Sequence, residues 1–174
     1  MPEVSSEKNL HSYGFLPKTT IAKQQTYTLS KASLFDFGVL SSMMHMAWMR
    51  YTAGRLKSDY QYSAGIVYNN FPWPQNPTVK QKEAVEKAAQ RVLDARANYP
   101  QSSLADLYDP LTMPVDLVKA HQALDKAVDR CYRSQEFSSE LNRIEYLFSL
   151  YESLTAPLIA QSKDKKKPKR TMKS

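Results

Sequence analysis

From Thr78 to Leu154 the apolar residues recur at three- and four-residue spacing, and this periodicity most narrows what the chain can fold into. Val85, Ala88, Ala89, Val92 and Leu93 mark a first amphipathic helix. Thr78 with Gln81 three residues later gives it a capping-box start, and Pro100 ends it. "SSLADLYDP" reads as a short helical turn capped by Ser103. Pro114 opens a further helix, where its missing N–H costs nothing, and Leu117, His121, Leu124, Val128 and Cys131 share one face or its edge. A last stripe follows: Leu141, Ile144, Leu147, Phe148, Tyr151 and Leu154. Three amphipathic helices with short connections predict a compact bundle. Burial of each large side chain contributes about 1.5–3 kcal/mol, ample for a small domain.

Ahead of Pro74 the pattern is mixed. Residues 1–25 lack periodicity and read as loop, and "QTYTLS" (25–30) alternates like a short strand. Leu34, Phe37, Leu40, Met44, Trp48 and Tyr51, flanked by Val39, Met43 and Ala47, predict one helix from a Ser33 cap to a Gly54 stop. "SDYQYS" (58–63) alternates again, and "SAG" then turns the chain into "IVYNNF", which predicts a β-hairpin. The expected fold class is α+β and mostly helical: a β-containing part over 1–74, an all-α bundle over 75–160 and a disordered basic tail over 161–174.

The formal charge of +7 invites a nucleic-acid reading, but its distribution qualifies it. Residues 163–174 hold seven Lys/Arg and one Asp, so most of the excess lies in the tail. Residues 1–74 carry seven basic and four acidic side chains; residues 75–162 carry ten and twelve. A DNA-facing surface is therefore expected in the first 74 residues, with the tail limited to nonspecific phosphate contact. The single Cys131 excludes an intrachain disulfide and a cysteine zinc site, and fits a reducing, cytoplasmic setting. No signal peptide and no run of about 18 apolar residues is present, so no membrane partner is expected.

Little in the chain has the spacing of a reaction centre. His11, His45 and His121 show no metal-ligand spacing and read as ordinary packing. There is no Gly-rich phosphate loop and no local nucleophile signature. Glu83 and Glu86 fall on a predicted solvated helix face, so no catalytic residue, cofactor site or metal site is expected.

"RYTAGRLKSDYQYS" (50–63) stands apart, since it follows an apolar helix and opens the hairpin. One reading is a solvated turn with surface charge pairs. The other is an element that enters a DNA groove. Lys57 can donate to guanine O6 and N7, and Asp59 can accept from cytosine N4. Two positions apart on one strand face, they could together read one G·C pair. Arg50 and Arg55 would hold phosphates, with Tyr60, Gln61, Tyr62 and Ser63 in support.

At these residues "FGVLSSMMHMAWMR", "GRLKSDYQYS" and "YNNFPWP" resemble the end of the target-recognition domain of MmeI-like type IIL restriction–modification enzymes. "SLADLYDPLTMPVDLVKAHQALDKAVDRCYR" and "RIEYLFSLYE" resemble the helical C-terminal domain that follows it. The resemblance covers roughly residues 30–158, in family order. It implies a parent enzyme that joins an S-adenosylmethionine-dependent adenine-N6 DNA methyltransferase, in some members a nuclease, to a recognition domain that reads double-stranded DNA. Nuclease-free relatives serve in phage defence. The Lys57-Ser58-Asp59 slot falls where that domain reads a base pair near the edge of its site, which carries base readout to Lys57 and Asp59.

"YNNFPWPQNP" (68–77) looks like the Asn-Pro-Pro-aromatic loop of adenine methyltransferases, but Asn70 is followed by Phe71, Pro72, Trp73 and Pro74. Without two consecutive prolines the catalytic loop geometry is not encoded, and the segment is expected to be a structural junction. Trp73 and Phe71 would pack where the recognition domain meets the helices, while Pro72 and Pro74 fix an extended crossing. The chain is thus expected to be a C-terminal piece of a larger enzyme and catalytically silent alone. Two readings remain: a DNA-recognition module, or a helical interaction fragment that docks on its own methyltransferase domain without touching DNA.

Overall fold

A computed structural model describes residues 4–5, 13–17, 19–22, 26–57 and 59–165. Its elements are β1 (Val4–Ser5), α1 (Leu34–Leu40), α2 (Met43–Thr52), β2 (Gly54–Leu56), β3 (Asp59–Gln61), a single π-helical turn (Ala64–Tyr68), α3 (Val79–Ala97), α4 (Leu104–Leu107), α5 (Val115–Tyr132) and α6 (Glu140–Lys165). The strands form one small antiparallel sheet in the order β1-β3-β2. The chain is mostly helical α+β, as the periodicities predict.

Helices α3 and α5 pair along their length, α1 lies across α3, and α2 packs on α6. Gly38 makes the first crossing possible: a Cβ there would stand 2.7 Å from Val85 Cγ1 and 3.2 Å from Leu124 Cδ1. One hydrophobic core runs without a break from Val39, Met44 and Trp48 on one side of Pro74 to Val85, Leu117, Leu124 and Leu147 on the other. The change of sequence character at Pro74 is therefore no gap in packing.

Several expectations need correction. The segment from Ser33 to Gly54 is two helices rather than one. Ser33 does cap α1, accepting from the Asp36 N–H in a reciprocal capping box, but the helix ends at Leu40. The Ser42 hydroxyl donates to the Val39 carbonyl at 2.7 Å, a local bond of the kind that competes with helix continuation. Helix α2 then starts without a side-chain cap of its own from Ser42. "QTYTLS" is not a strand among the described residues: Thr26 is a single bridge position, and Gln25 lies outside them. The hairpin reverses between Leu56 and Asp59, not at "SAG", which instead enters the π-helical turn.

In the bundle, the stripes of α3 and α5 are buried as read, except that Ala95 is more deeply buried than Leu93. Helix α6 differs: Ile144 and Leu147 are buried, whereas Leu141, Phe148 and Leu154 are exposed. It also continues through Pro157 to Lys165, so residues 161–165 of the expected tail are helical; residues 166–174 lie outside the described ones. Among the described residues, no helix is long and apolar enough to cross a membrane.

Candidate nucleic-acid interface

Strand alternation shapes the β2–β3 hairpin. Tyr60 and Tyr62 point inward and are buried, while Asp59 is half-buried and Gln61 exposed on the other face. The register pairs Leu56 with Asp59, Arg55 with Tyr60 and Gly54 with Gln61, so the chain reverses between Leu56 and Asp59. Lys57 takes φ 58°, the positive value that both primed two-residue turns require at their first central position. Lys57 is thus exposed at the hairpin tip in a left-handed backbone, and Ser58 lies outside the described residues.

This geometry changes the premise of one expectation. Lys57 and Asp59 do not alternate along one strand face: Lys57 lies in the tight turn and Asp59 opens the strand that follows it. They still project from the same tip, a donor and an acceptor two positions apart. The turn was hard to read because Lys57 is neither Gly nor Asn, the residues that usually signal positive φ.

Beneath the tip, the hairpin is fastened to the core. The guanidinium of Arg55 stacks on its cross-strand partner Tyr60, 3.8 Å from the ring centroid. The Tyr62 hydroxyl lies 3.2 Å from His45 Nε2, and the Tyr13 hydroxyl lies 3.2 Å from His45 Nδ1. A neutral imidazole has one donor and one acceptor, which suits a hydroxyl on each side. Burial holds the Tyr13 and Tyr62 phenols well above their ordinary pKa, so both stay protonated and available for these bonds. Ser63 accepts from the Ile66 N–H at the start of the π-helical turn. Arg50 pairs with Glu140, joining α2 to α6.

Of the residues expected to hold or support DNA, Tyr60, Tyr62, Ser63 and Arg50 therefore have packing roles that shape the hairpin and its base. Lys57 and Gln61 are exposed on its outer face and Asp59 is half-buried there, with Arg55 exposed along the edge. Reading by residue type could not separate the two groups; the inward set is the alternate one, Tyr60 and Tyr62.

"NNFPWP" lies directly behind. The Asn70 amide donates to the carbonyls of Gly65 at 2.9 Å and Ile66 at 3.0 Å, closing the π-helical turn. Phe71 is buried edge-on to His45 at 4.9 Å between ring centroids, with Trp73 edge-on to Phe71 at 5.5 Å. Trp48 donates from Nε1 to the Val67 carbonyl at 3.0 Å. Pro72 and Pro74 are buried, and the Tyr132 hydroxyl of α5 donates to the Pro72 carbonyl at 3.1 Å. Asn70 spends its side-chain donor on backbone, so its amide is committed to the junction.

Sequence reasoning missed a second polar cluster. Arg96 donates to the Tyr13 carbonyl at 2.5 Å and, from Nε at 2.7 Å, to the Tyr108 hydroxyl, which lies 2.7 Å from His121 Nε2. With Arg96 donating to it, the Tyr108 hydroxyl gives its own proton to Nε2. Burial, with Arg96 nearby, lowers the His121 pKa to about 4, so the ring is neutral. The four residues of the cluster come from four separate segments, which no local pattern signals. Among the described residues, no group of three or more His, Cys, Asp or Glu is placed to hold a metal.

The sequence aligns in two consecutive blocks with family models: residues 1–75 match the MmeI target recognition domain, and residues 77–159 match the MmeI C-terminal domain. The chain belongs to the MmeI family. It is 42% identical over 156 residues to DNA methyltransferase A of Bacillus subtilis (strain 168), covering 89% of this chain and 18% of that protein. Its fold matches the solved structure of the type IIL restriction–modification enzyme MmeI in complex with DNA, with a TM-score of 0.85 and 50% identity, over 89% of this chain and 21% of that one. The chain thus spans about a fifth of the length of these MmeI-family relatives. In MmeI-family terms the hairpin and the "NNFPWP" junction belong to the recognition-domain block, and α3 to α6 make up the C-terminal block.

Proposed function

We propose that this chain is the DNA-recognition end of a site-specific adenine-N6 DNA methyltransferase of the restriction–modification type. Lys57 and Asp59 read one base pair of the target duplex. The observation that carries this reading is the hairpin tip itself. An exposed donor, Lys57, and a half-buried acceptor, Asp59, stand at a tip whose strands are held by the Tyr62–His45 and Arg55–Tyr60 contacts. The similarity to an enzyme solved in complex with DNA supports the same reading. A pre-organised tip restricts where the two groups can reach, and base discrimination depends on that restriction.

S-adenosylmethionine does not fit the residues described here. The two grooves along α3 are open and lined chiefly by charged and amide side chains; Leu34 in one and three alanines in the other are their only apolar residues, and neither offers an aromatic or a Gly-rich turn to hold an adenosyl group. No step of methyl transfer is assigned to this chain. The cofactor and the methyltransferase domain belong to the rest of the parent protein in this proposal.

The test exchanges donor for acceptor. In the full-length protein, Lys57→Glu with Asp59→Arg should move the preferred pair at one position of the methylated motif from G·C toward C·G. Each good bidentate contact is worth about 1–3 kcal/mol of discrimination, enough to appear in the mapped motif. A stably folded double variant that methylates the original motif with unchanged preference refutes the assignment. A chain that binds the methyltransferase domain but no duplex, even at low salt, would make it an interaction fragment.

A further inference from the structure

The C-terminal block carries more acidic than basic side chains, yet its charges are not mixed evenly. Helix α3 has a groove on each side. The one toward α1 is lined by Glu83, Glu86 and Asp94 as well as Lys87 and Arg91. The one toward α5, about 350 Å³, is lined by Lys80, Lys126 and Arg130 around a floor of alanines, and no acid lines it. All three cations are exposed. Among the described residues, no carboxylate pairs with any of them.

Two of these placements work against the helices that bear them. Lys80 sits in the first turn of α3, which has no acidic residue, at the end where the helix dipole disfavours a cation. Lys126 and Arg130 stand four residues apart on α5, so like charges face each other across one turn. Arg130 alone gains from its place in the last turn. Cations so placed gain more from a negative partner outside the chain than from the helices that bear them.

The groove also lies at the junction with the recognition block. Gln81 donates to the Arg130 carbonyl at 2.6 Å and so ties the start of α3 to the end of α5. Two residues on, Tyr132 holds the Pro72 carbonyl. The cations therefore stand where α3 and α5 meet the segment leading from the hairpin. The rise between Lys126 and Arg130 is about 6 Å, close to the axial advance of two nucleotides along one DNA strand.

We propose that the α3–α5 groove is a phosphate site that holds the DNA backbone beside the sequence read by the hairpin. This rests on the recognition reading given above. Such a contact fixes register and adds affinity without sequence information.

The test uses the full-length protein and a mixed-sequence 40-base-pair duplex, titrated between about 50 and 200 mM salt. Lys80→Gln, Lys126→Gln and Arg130→Gln together should flatten the slope of log affinity against log salt by about 2–3 and weaken low-salt binding more than about tenfold. Each single substitution should flatten it by about one. The melting temperature should not fall, since exposed like charges are removed. A control triple, Lys82→Gln with Lys87→Gln and Arg91→Gln, removes equal charge elsewhere on α3 and should leave the slope nearly unchanged. Equal losses in both triples, or an unchanged slope in the groove triple, overturn the groove while leaving the hairpin reading intact. Failure of the unaltered protein to bind duplex at low salt overturns both.

Discussion

The carboxylate of Asp125 accepts the backbone N–H of Met43 at 2.7 Å, across 82 residues of chain. It supplies from α5 the N-terminal cap that α2 lacks locally. Together with the ion pair of Asp129 and Arg143, whose Nη2 approaches to 2.6 Å, it makes α5 the polar support on which α2 and α6 rest.

Asp125 should make stability depend on pH. Burial raises its pKa to about 7, against the donation from Met43 and the nearby Arg143, which lower it, and with Asp129 raising it further. Its folded pKa lies above its unfolded value near 3.8. The folded state therefore keeps the proton longer, and the associated stability is complete below about pH 4 and lost as pH rises through about 7. Asp125→Asn keeps an oxygen for the Met43 N–H and does not titrate. His121, whose pKa is lowered to about 4, adds stability as pH rises through the lower part of this range, so the readout is a difference: from pH 5 to pH 8 the urea midpoint of the unaltered protein should drop relative to that of the Asn variant, and identical profiles would refute the assignment. Asp125→Ala removes the acceptor and should cost about 1–3 kcal/mol.

Gly38→Ala should destabilise the protein even though alanine is the better helix former. The propensity gain is about 1 kcal/mol. The added Cβ would stand 2.7 Å from Val85 Cγ1 and 3.4 Å from Ala89 Cβ, at the crossing of α1 with α3. Overpacking of this kind costs about 1–3 kcal/mol, so the net change is a loss, read as a lower denaturant midpoint. Combining it with Val85→Ala should recover part of the crossing; a more stable Gly38→Ala single variant contradicts the close approach.

Tyr62→Phe should loosen the hairpin without unfolding the bundle. It deletes the hydroxyl at 3.2 Å from His45 Nε2 and keeps the buried ring. One net hydrogen bond is worth about 0.5–1.5 kcal/mol. Amide exchange should quicken at Tyr60 and Gln61 and stay unchanged in α3 and α5. Uniform acceleration across the chain would show that the contact supports the whole core instead.

The bundle was legible because its information is local. The stripe Val85, Ala88, Ala89 and Val92 and the Thr78–Gln81 capping box each lie within a few helical turns; the stripe is buried and the box closes as spaced. The hairpin was legible in kind but misplaced. "DYQY" gives the alternation, yet the turn sits at Lys57, whose positive φ carries no residue signature. Lys57 and Asp59 could be named, but not the arrangement that sets Lys57 in the turn and Asp59 at the start of the strand after it. What only the tertiary structure decided involves partners far apart in sequence. Helix α2 begins at Met43 because Asp125 waits there, and His45 is set by Tyr13 and Tyr62 from either side. Helix α6 leaves Leu141 exposed although it lies on the apolar stripe, while Phe148 and Tyr151 further along meet Trp48 of α2. The basic groove arises when α3 and α5 bring Lys80 beside Lys126 and Arg130, side chains some fifty residues apart whose charges cancel against neighbouring acids in any count along the chain. Periodicity fixes which face of an element turns inward; which other element meets that face depends on packing, and packing joins residues that no local window contains.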